Sequence, residues 1–360
     1  MGKPLLTVCI ITYNHNKYIK QALDSILAQE LSVDWKIVVA DDKSTDGTRE
    51  ILLEYQKMHP KRIELVLQKR NVGPEQNWLD LLSRAKSKYV LYAEGDDYFT
   101  DRRKLQTQVD FLEANLEYAL CFHPVQVVYE DGSMPNEIFP SFEHNHNIKL
   151  SFNELLANNF MQTNSVMYRW RFEKEDILKI FPRNIAPGDW MLHILHAQKG
   201  KIGLIDKTMA VYRRHASGVM WDSHAGLDNL WSKRGIEYLG LFWETFKLCE
   251  GITTSKDVVL RQIYDMFERF IDLDKRKGTQ LLAKAVQLYP DSANYYLLYL
   301  HRAAHYGIGA RKEIGTLRAQ LKAEQGHSKQ LSSELSDIKH SRVWKARNQA
   351  VKIVGKKPIQ

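Results

Sequence analysis

Cysteine is scarce: Cys9, Cys121 and Cys249 are the only three in 360 residues, and no Cys-x-x-Cys pair occurs. An odd and scattered set excludes a disulfide framework, gives no sign of a zinc site and fits a reducing compartment. Cys9 and Cys121 lie within apolar runs, where a thiol behaves as a small buried hydrophobe. Long hydrophobic runs are also missing. The first apolar stretch, Leu5–Thr12, falls far short of the roughly 20 residues a spanning helix needs. It lacks a cleavage site, so it does not read as a signal peptide, and a cytoplasmic protein is expected. What is present is ordinary for a protein with a real core: 44% hydrophobic and 11% aromatic residues, which fits one large or two modest domains. The formal net charge of +8 is compatible with nucleic acid, anionic lipid or phosphorylated small molecules, and does not choose among them.

Read in order, the first hundred or so residues alternate between apolar runs and helical patterns. Strands are expected at Leu5–Thr12, Trp35–Ala40, Arg62–Gln68 and Tyr89–Ala93, and helices at Lys17–Gln29, Thr48–His59 and Glu75–Ala85. Such alternation predicts βαβ units and a mainly parallel sheet. In sheets of this kind ligands bind beyond the carboxyl ends of the strands. Thr12–Asn14, Asp42, Asn71–Gly73 and Glu94–Asp97 each follow the end of a different strand, so the four loops should gather on one edge. At the last of them, Glu94, Asp96 and Asp97 crowd where a strand stops. Neighbouring carboxylates raise one another's pKa unless something positive lies between them. A hard divalent cation with phosphate oxygens would serve, and so would simple solvation of an acidic turn. Asp42 by itself is equally a helix cap, and Asn71 and Gly73 are equally turn residues. The gathering of all four loops favours a nucleotide or metal site.

These motifs together, Leu5–Asn14, the ADDKSTDGT loop from Ala40, Asn71-x-Gly73 and YAEGDD from Tyr92, resemble family-2 glycosyltransferases of the GT-A fold. The resemblance spans about the first two-thirds of the chain, and its motifs are strong in combination. It implies a Rossmann-like α/β domain, a nucleotide-sugar donor, most often a UDP-sugar, and Mn²⁺ or Mg²⁺. On that basis Thr12 and Asp42 would meet the uracil and ribose, and Asp96 and Asp97 would form the acidic metal motif, Asp96 also facing the ribose. The family often has Asp where this chain has Glu94. The full donor-binding set expected is Thr12, Tyr13, Asn14, Asp42, Asn71, Gly73, Glu94, Asp96, Trp190 and Arg213.

Further along, a helix is expected at Asp101–Asn115, a single strand at Ala119–Tyr129, an irregular segment at Glu130–Asn147, a short helix at Ser151–Asn158 and strands at Gln162–Tyr168 and Gly203–Val211. His123, in an apolar run, reads as a core histidine. Asp189 opens a helical pattern, where an acid is favoured by the helix dipole alone. The resemblance implies a second role there, the base that takes the acceptor's proton in an inverting transfer, with Trp190 as a wall for a sugar ring. Arg213, Arg214 and His215 read either as diphosphate contacts or as an exposed basic end. The Gln-x-x-Arg-Trp motif usual in the family's processive synthases is absent, which argues for addition of a single sugar.

Beyond about residue 225 the spacing is helical throughout. The expected domains are 1–225 for catalysis, a helical appendage at 226–308, a short coiled coil at 309–340 and a basic amphipathic tail at 341–360. Ile314, Leu317, Leu321, Leu331, Leu335 and Ile338 keep a heptad-like spacing that suits self-association through 314–338 or one solvated helix. The tail mixes Lys and Arg with Val343, Trp344, Ile353 and Val354 and suits either the inner face of an anionic membrane or a free basic end. The acceptor expected from the resemblance is a glycan or a lipid-linked or lipopolysaccharide-type molecule in cell-surface polysaccharide synthesis. Nucleic acid is not expected, because acids gather where phosphates would sit. Two other readings stand: a sugar nucleotidyltransferase, which would need a Gly-rich basic loop where Tyr13–Asn16 stands, and a non-catalytic sugar-nucleotide-binding assembly module.

Overall fold

The computed structural model describes residues 4–141, 150–173, 176–216, 218 and 226–305. His144, His146, the heptad segment 314–338 and the tail 341–360 lie outside the described residues. The chain divides into two compact units, Met1–Ala225 and Gly226–Gln360.

In the first unit, strands β1 (Leu6–Thr12), β2 (Trp35–Asp41), β3 (Ile63–Leu67) and β4 (Tyr89–Glu94) alternate with helices α1 (Ile19–Leu27), α2 (Thr48–Met58) and α3 (Pro74–Ser83). β1 pairs in parallel with both β2 and β4, and β2 with β3. Leu6, Val8, Cys9 and Ile10 are all fully buried, because helices cover both faces of a parallel sheet and leave no polar side. α1 presents Ile19, Leu23 and Ile26 to that core. Burial pushes the Cys9 and Cys121 thiols up to about 12, so they are packing groups rather than nucleophiles.

The chain then adds β5 (Tyr98–Phe99), α4 (Lys104–Ala114), β6 (Tyr118–Phe122), β7 (Val125–Tyr129), β8 (Glu137–Phe139), α5 (Phe152–Ala157), β9 (Met167–Arg169), α6 (Ile177–Ile180), α7 (Gly188–Ala197), β10 (Lys201–Leu204) and β11 (Ala210–Arg214). Two sheets result, ordered β10-β6-β9-β4-β1-β2-β3 and β5-β11-β7-β8. β9 runs antiparallel between β4 and β6. The single strand expected over Ala119–Tyr129 is two strands in different sheets. Pro124 is the break: it has no N–H to give a ladder, and the His123 ring turns back to the Pro124 carbonyl, 2.8 Å away. Gly203–Val211 likewise divides into β10 and β11, and the segment expected to be irregular contains β8.

The second unit holds four helices among its described residues: α8 (Leu227–Leu248), α9 (Thr253–Asp272), α10 (Lys275–Leu288) and α11 (Pro290–His305). Val259, Ile263, Met266, Phe267 and Phe270 form the buried stripe of α9, with the three-and-four spacing of a core-facing helix. At Gly235 in α8 a Cβ would run into the Phe270 ring, so glycine permits the close approach there. No helix among the described residues is long and apolar enough to cross a membrane.

Candidate functional site

The carboxyl ends of β1, β2 and β4 adjoin, as the parallel register requires. Thr12 pairs with Asp41 and Ile11 with Glu94. The Asp42 N–H donates to the Thr12 carbonyl at 3.1 Å and the Gly95 N–H to that of Ile11 at 2.9 Å. Gly95 lies so close to β1 that a Cβ would stand 2.9 Å from Thr12 Oγ1 and 3.0 Å from His15 Nδ1. Side-chain bulk is therefore excluded where the acids begin.

Asp42 is 2% exposed. Its carboxylate accepts the Val72 N–H at 2.7 Å and the Gly73 N–H at 2.9 Å, clamping the loop after β3 to the end of β2. Gly73 has φ +85°, a conformation favouring glycine, and Asn71 Oδ1 also accepts its N–H at 3.1 Å. Asn14, with φ 56°, fastens the loop after β2, accepting the Thr45 N–H at 2.9 Å and donating its own N–H to Ser44 Oγ at 2.9 Å. Tyr13 beside it is 44% exposed. Asp41, the last residue of β2, is fully buried and paired with Arg49.

At the end of β4 the two aspartates differ. Asp97 is fully engaged: Asn164 Nδ2 donates to Oδ2 at 3.0 Å, and the Arg213 N–H to Oδ1 at 3.0 Å. Asp96 Oδ2 stands 2.9 Å from His215 Nε2 and 3.8 Å from His15 Nε2, while Oδ1 is buried without a partner. Burial, with the neighbouring charges of Asp96 and Glu94, pushes the Asp97 carboxyl well above the usual range. Burial and the charges of Asp96 and Asp189 push Glu94 up to about 8. At Asp96 burial acts upward too, but the His215 hydrogen bond and the two imidazoles outweigh it and hold the group below its ordinary value. The trio thus concentrates its negative charge on the residue with an open oxygen.

Arg213, expected as a diphosphate contact or as part of an exposed basic end, is tied to its neighbours. Its guanidinium donates to the Asp96 carbonyl at 2.8 Å, Gln21 Oε1 at 2.7 Å and Glu130 Oε1 at 3.3 Å, and it lies over the rings of Tyr18 and Tyr98. It braces the acidic turn. Trp190 also departs from expectation. It is 6% exposed and its indole N–H donates to the Leu155 carbonyl at 2.7 Å, so the amphipathic ring anchors α7 to α5 instead of standing open as a wall. Asp189 occupies the first turn of α7, where its Oδ2 accepts from Thr163 Oγ1 at 2.7 Å and its Oδ1 from the Trp190 N–H at 2.8 Å.

The residues that connect these groups, Thr163 and Asn164, lie in the stretch Gln162–Tyr168 where one strand is expected, but the strand there is only Met167–Arg169, and a Thr-Asn-Ser run does not mark site residues. They occupy a short 3₁₀ turn, Thr163–Ser165. The acid pair and Asp189 are therefore tied to adjacent residues. The donor chemistry at Asp96 suits a hard dication: an oxygen without a partner, beside carboxyls made basic by crowding. No three His, Cys, Asp or Glu side chains among the described residues are already gathered as ligands, so phosphate oxygens and water would have to complete the coordination.

Residues 7–218 match the family described as Glycosyl transferase family 2. The uncharacterized protein Rv1520 of Mycobacterium tuberculosis is 37% identical over 285 residues, covering 79% of this chain and 80% of that protein. The putative teichuronic acid biosynthesis glycosyltransferase TuaG of Bacillus subtilis is 30% identical over 165 residues, 46% of this chain and 62% of that protein. Among solved structures, residues 1–349 of TarS from S. aureus, in complex with UDP, superpose with a TM-score of 0.56 at 18% identity, covering 90% of this chain and 92% of that one. The mannosyltransferase PcManGT of Pyrobaculum calidifontis, in complex with GDP-Man and Mn²⁺, gives 0.52 at 17% identity over 90% and 87%. These likenesses identify the architecture as GT-A. With more than half of the chain matched, the protein belongs to glycosyl transferase family 2 and is a glycosyltransferase.

Proposed function

We propose that the protein is an inverting transferase that moves one sugar from a nucleotide-sugar, a UDP-sugar in the first instance, to a hydroxyl of a glycan or lipid-linked acceptor in cell-surface polysaccharide synthesis. The observation that carries this reading is the shared turn: Thr163 holds Asp189 and Asn164 holds Asp97, so a candidate base and the acid pair are anchored on adjacent residues. The acceptor oxygen attacks the anomeric carbon, the bond from that carbon to the diphosphate oxygen breaks, and the nucleoside diphosphate departs with the electron pair. Asp189 takes the acceptor's proton. Its two oxygens each accept one protein donor, and each keeps a second lone pair for the incoming hydroxyl.

Asp96 Oδ1, with Asp97 beside it, would hold Mn²⁺ or Mg²⁺, which when bound neutralises charge on the diphosphate leaving group. Asp42 shapes the nucleoside side by fixing the loop at Asn71–Gly73 against Thr12. Arg213 keeps the acidic turn in place. Holding donor and acceptor side by side supplies much of the acceleration. TarS with UDP and PcManGT with GDP-Man and Mn²⁺ support the donor class and the metal, and TuaG supports an acceptor of the cell envelope.

The test is a screen of UDP-sugars and GDP-mannose for nucleotide release with MnCl₂, comparing wild type with Asp97→Ala and Asp189→Asn. Asp189→Asn is expected to keep donor binding and lose turnover by about 10²–10⁴-fold. Asp97→Ala is expected to lose metal-dependent donor binding. Wild-type turnover in Asp189→Asn would remove the base. UDP binding by wild type with no turnover on any donor would favour a binding module.

A further inference from the structure

We propose that the Thr163–Ser165 turn is a positioning element, in which Thr163 sets the rotamer of the base and Asn164 sets the acid pair. The inference rests on the roles assigned above to Asp189 and the acids.

The turn is buried at every residue: Thr163 is 4% exposed, and Asn164 and Ser165 are fully enclosed. Asn164 Nδ2 has two hydrogens and two acceptors, Asp97 Oδ2 at 3.0 Å and the Val211 carbonyl at 2.8 Å. It therefore ties the end of β4 to β11, whose Arg213 N–H donates to the other oxygen of Asp97. Thr163 Oγ1 donates to Asp189 Oδ2 at 2.7 Å. Donors on both carboxylate oxygens leave Asp189 one orientation, and a general base must be aimed within hydrogen-bond reach of its proton.

The turn is itself held from behind. Gln108 Nε2 donates to the Ser165 carbonyl at 2.8 Å, and Lys104 Nζ to Gln108 Oε1 at 2.8 Å, with the amine 4.2 Å from the Phe99 ring centroid. Lys104 and Gln108 are both fully buried, and burial holds the lysine far below its ordinary value. The Ser165 carbonyl can only accept, so Gln108 must turn its amide nitrogen to the turn and its oxygen to the Lys104 amine. Two adjacent side chains thus face two halves of the chemistry from a common backbone, so their removal should separate into different kinetic signatures.

The experiment uses the full chain as wild type, Thr163→Val, Thr163→Ser, Asn164→Ala, Asp189→Asn and the Thr163→Val, Asp189→Asn double variant. Turnover is followed as UDP release from the best UDP-sugar of the screen, and binding as calorimetry of UDP with MnCl₂. Thr163→Val should lower kcat by roughly ten- to a hundredfold, the worth of one hydrogen bond to a charged group, with donor KM and UDP affinity unchanged. Thr163→Ser should restore kcat to within about threefold of wild type, and Thr163→Val should cost nothing further where Asp189 is already Asn. Asn164→Ala should weaken UDP–Mn²⁺ binding about tenfold, a reading that needs no turnover. Wild-type kcat in Thr163→Val, a multiplicative loss in the double variant, or unchanged UDP–Mn²⁺ affinity in a folded Asn164→Ala each overturns the inference. Full turnover in Asp189→Asn overturns instead the base on which the Thr163 half depends, while the Asn164 half is still decided by calorimetry.

Discussion

Asp42 and Asp96 follow strands on either side of β1 and are almost equally buried, at 2% and 5% exposure. Their surroundings differ completely. Each oxygen of Asp42 accepts a backbone N–H, so the group is consumed in building the loop after β3. Asp96 meets two histidines on one oxygen and nothing on the other. Buried polar atoms are nearly always paired, because leaving one unmade costs its full desolvation. An acid kept ionised with an open oxygen is therefore the half of the pair built for a ligand, and Asp42 is the half built for the fold.

The sharpest break of this contrast is a matched pair of amides. Asp96→Asn should weaken UDP–Mn²⁺ binding by about a hundredfold, or about 2.7 kcal/mol, with the urea midpoint nearly unmoved, since the amide keeps an oxygen for the His215 ring. Asp42→Asn should do the reverse. Its amide would turn an N–H toward a backbone N–H, and unfolding in urea should report a loss of about 2 kcal/mol. If both variants lost stability alike and bound alike, Asp96 would be one more structural acid.

Part of this arrangement is visible in the residues alone. The gathering of Thr12, Asp42, Asn71–Gly73 and Glu94–Asp97 follows from strand alternation, because a parallel sheet leaves its carboxyl ends on one edge. The helices beyond residue 225 are equally plain from their spacing. The route of the chain after Phe122 is not. Ala119–Tyr129 is apolar almost throughout, and periodicity has no symbol for a strand that changes sheets at Pro124. An aromatic ring suits a sugar and a guanidinium suits a diphosphate, but the same chemistry satisfies Leu155, Gln21 and Glu130 once the fold supplies them to Trp190 and Arg213. Thr163 and Asn164 carry no mark in sequence, since only tertiary folding brings Asp97 and Asp189 to them.

A partnerless atom is not always an invitation to a ligand, and His193 and His196 set that limit. Both are buried on α7 against Tyr168, and His196, its Nε2 unpaired, packs on Trp170 and Phe172 as well. Burial lowers His193 to about 4 and His196 to about 3, so both are neutral in the folded state, where an unmade bond costs far less than a charge. Below the unfolded value of about 6.5 the unfolded chain binds protons that the folded one refuses. Their contribution is therefore complete above that pH and is lost as pH falls toward 4 and 3. Each imidazole should remove about 1.4 kcal/mol per pH unit in that window. His196→Phe should flatten the urea midpoint's dependence on pH between 6.5 and 4 by one histidine's share; an unchanged slope would mean that the acid sensitivity originates elsewhere.

The smallest effect is expected where the Asp42 arrangement recurs at the surface. Asp46 accepts the Asn16 N–H at 2.9 Å on one oxygen and the Thr48 N–H at 3.0 Å and hydroxyl at 2.6 Å on the other, joining the loops after β1 and β2 as Asp42 joins those after β2 and β3. The donors are of the same backbone kind, but Asp46 is exposed, so water replaces whatever bond a substitution breaks. Asp46→Asn should therefore cost less than about 1 kcal/mol in urea unfolding and leave UDP–Mn²⁺ affinity as in wild type. A cost matching that of Asp42→Asn would show that the number of backbone donors, and not their removal from water, decides how much such a carboxylate contributes.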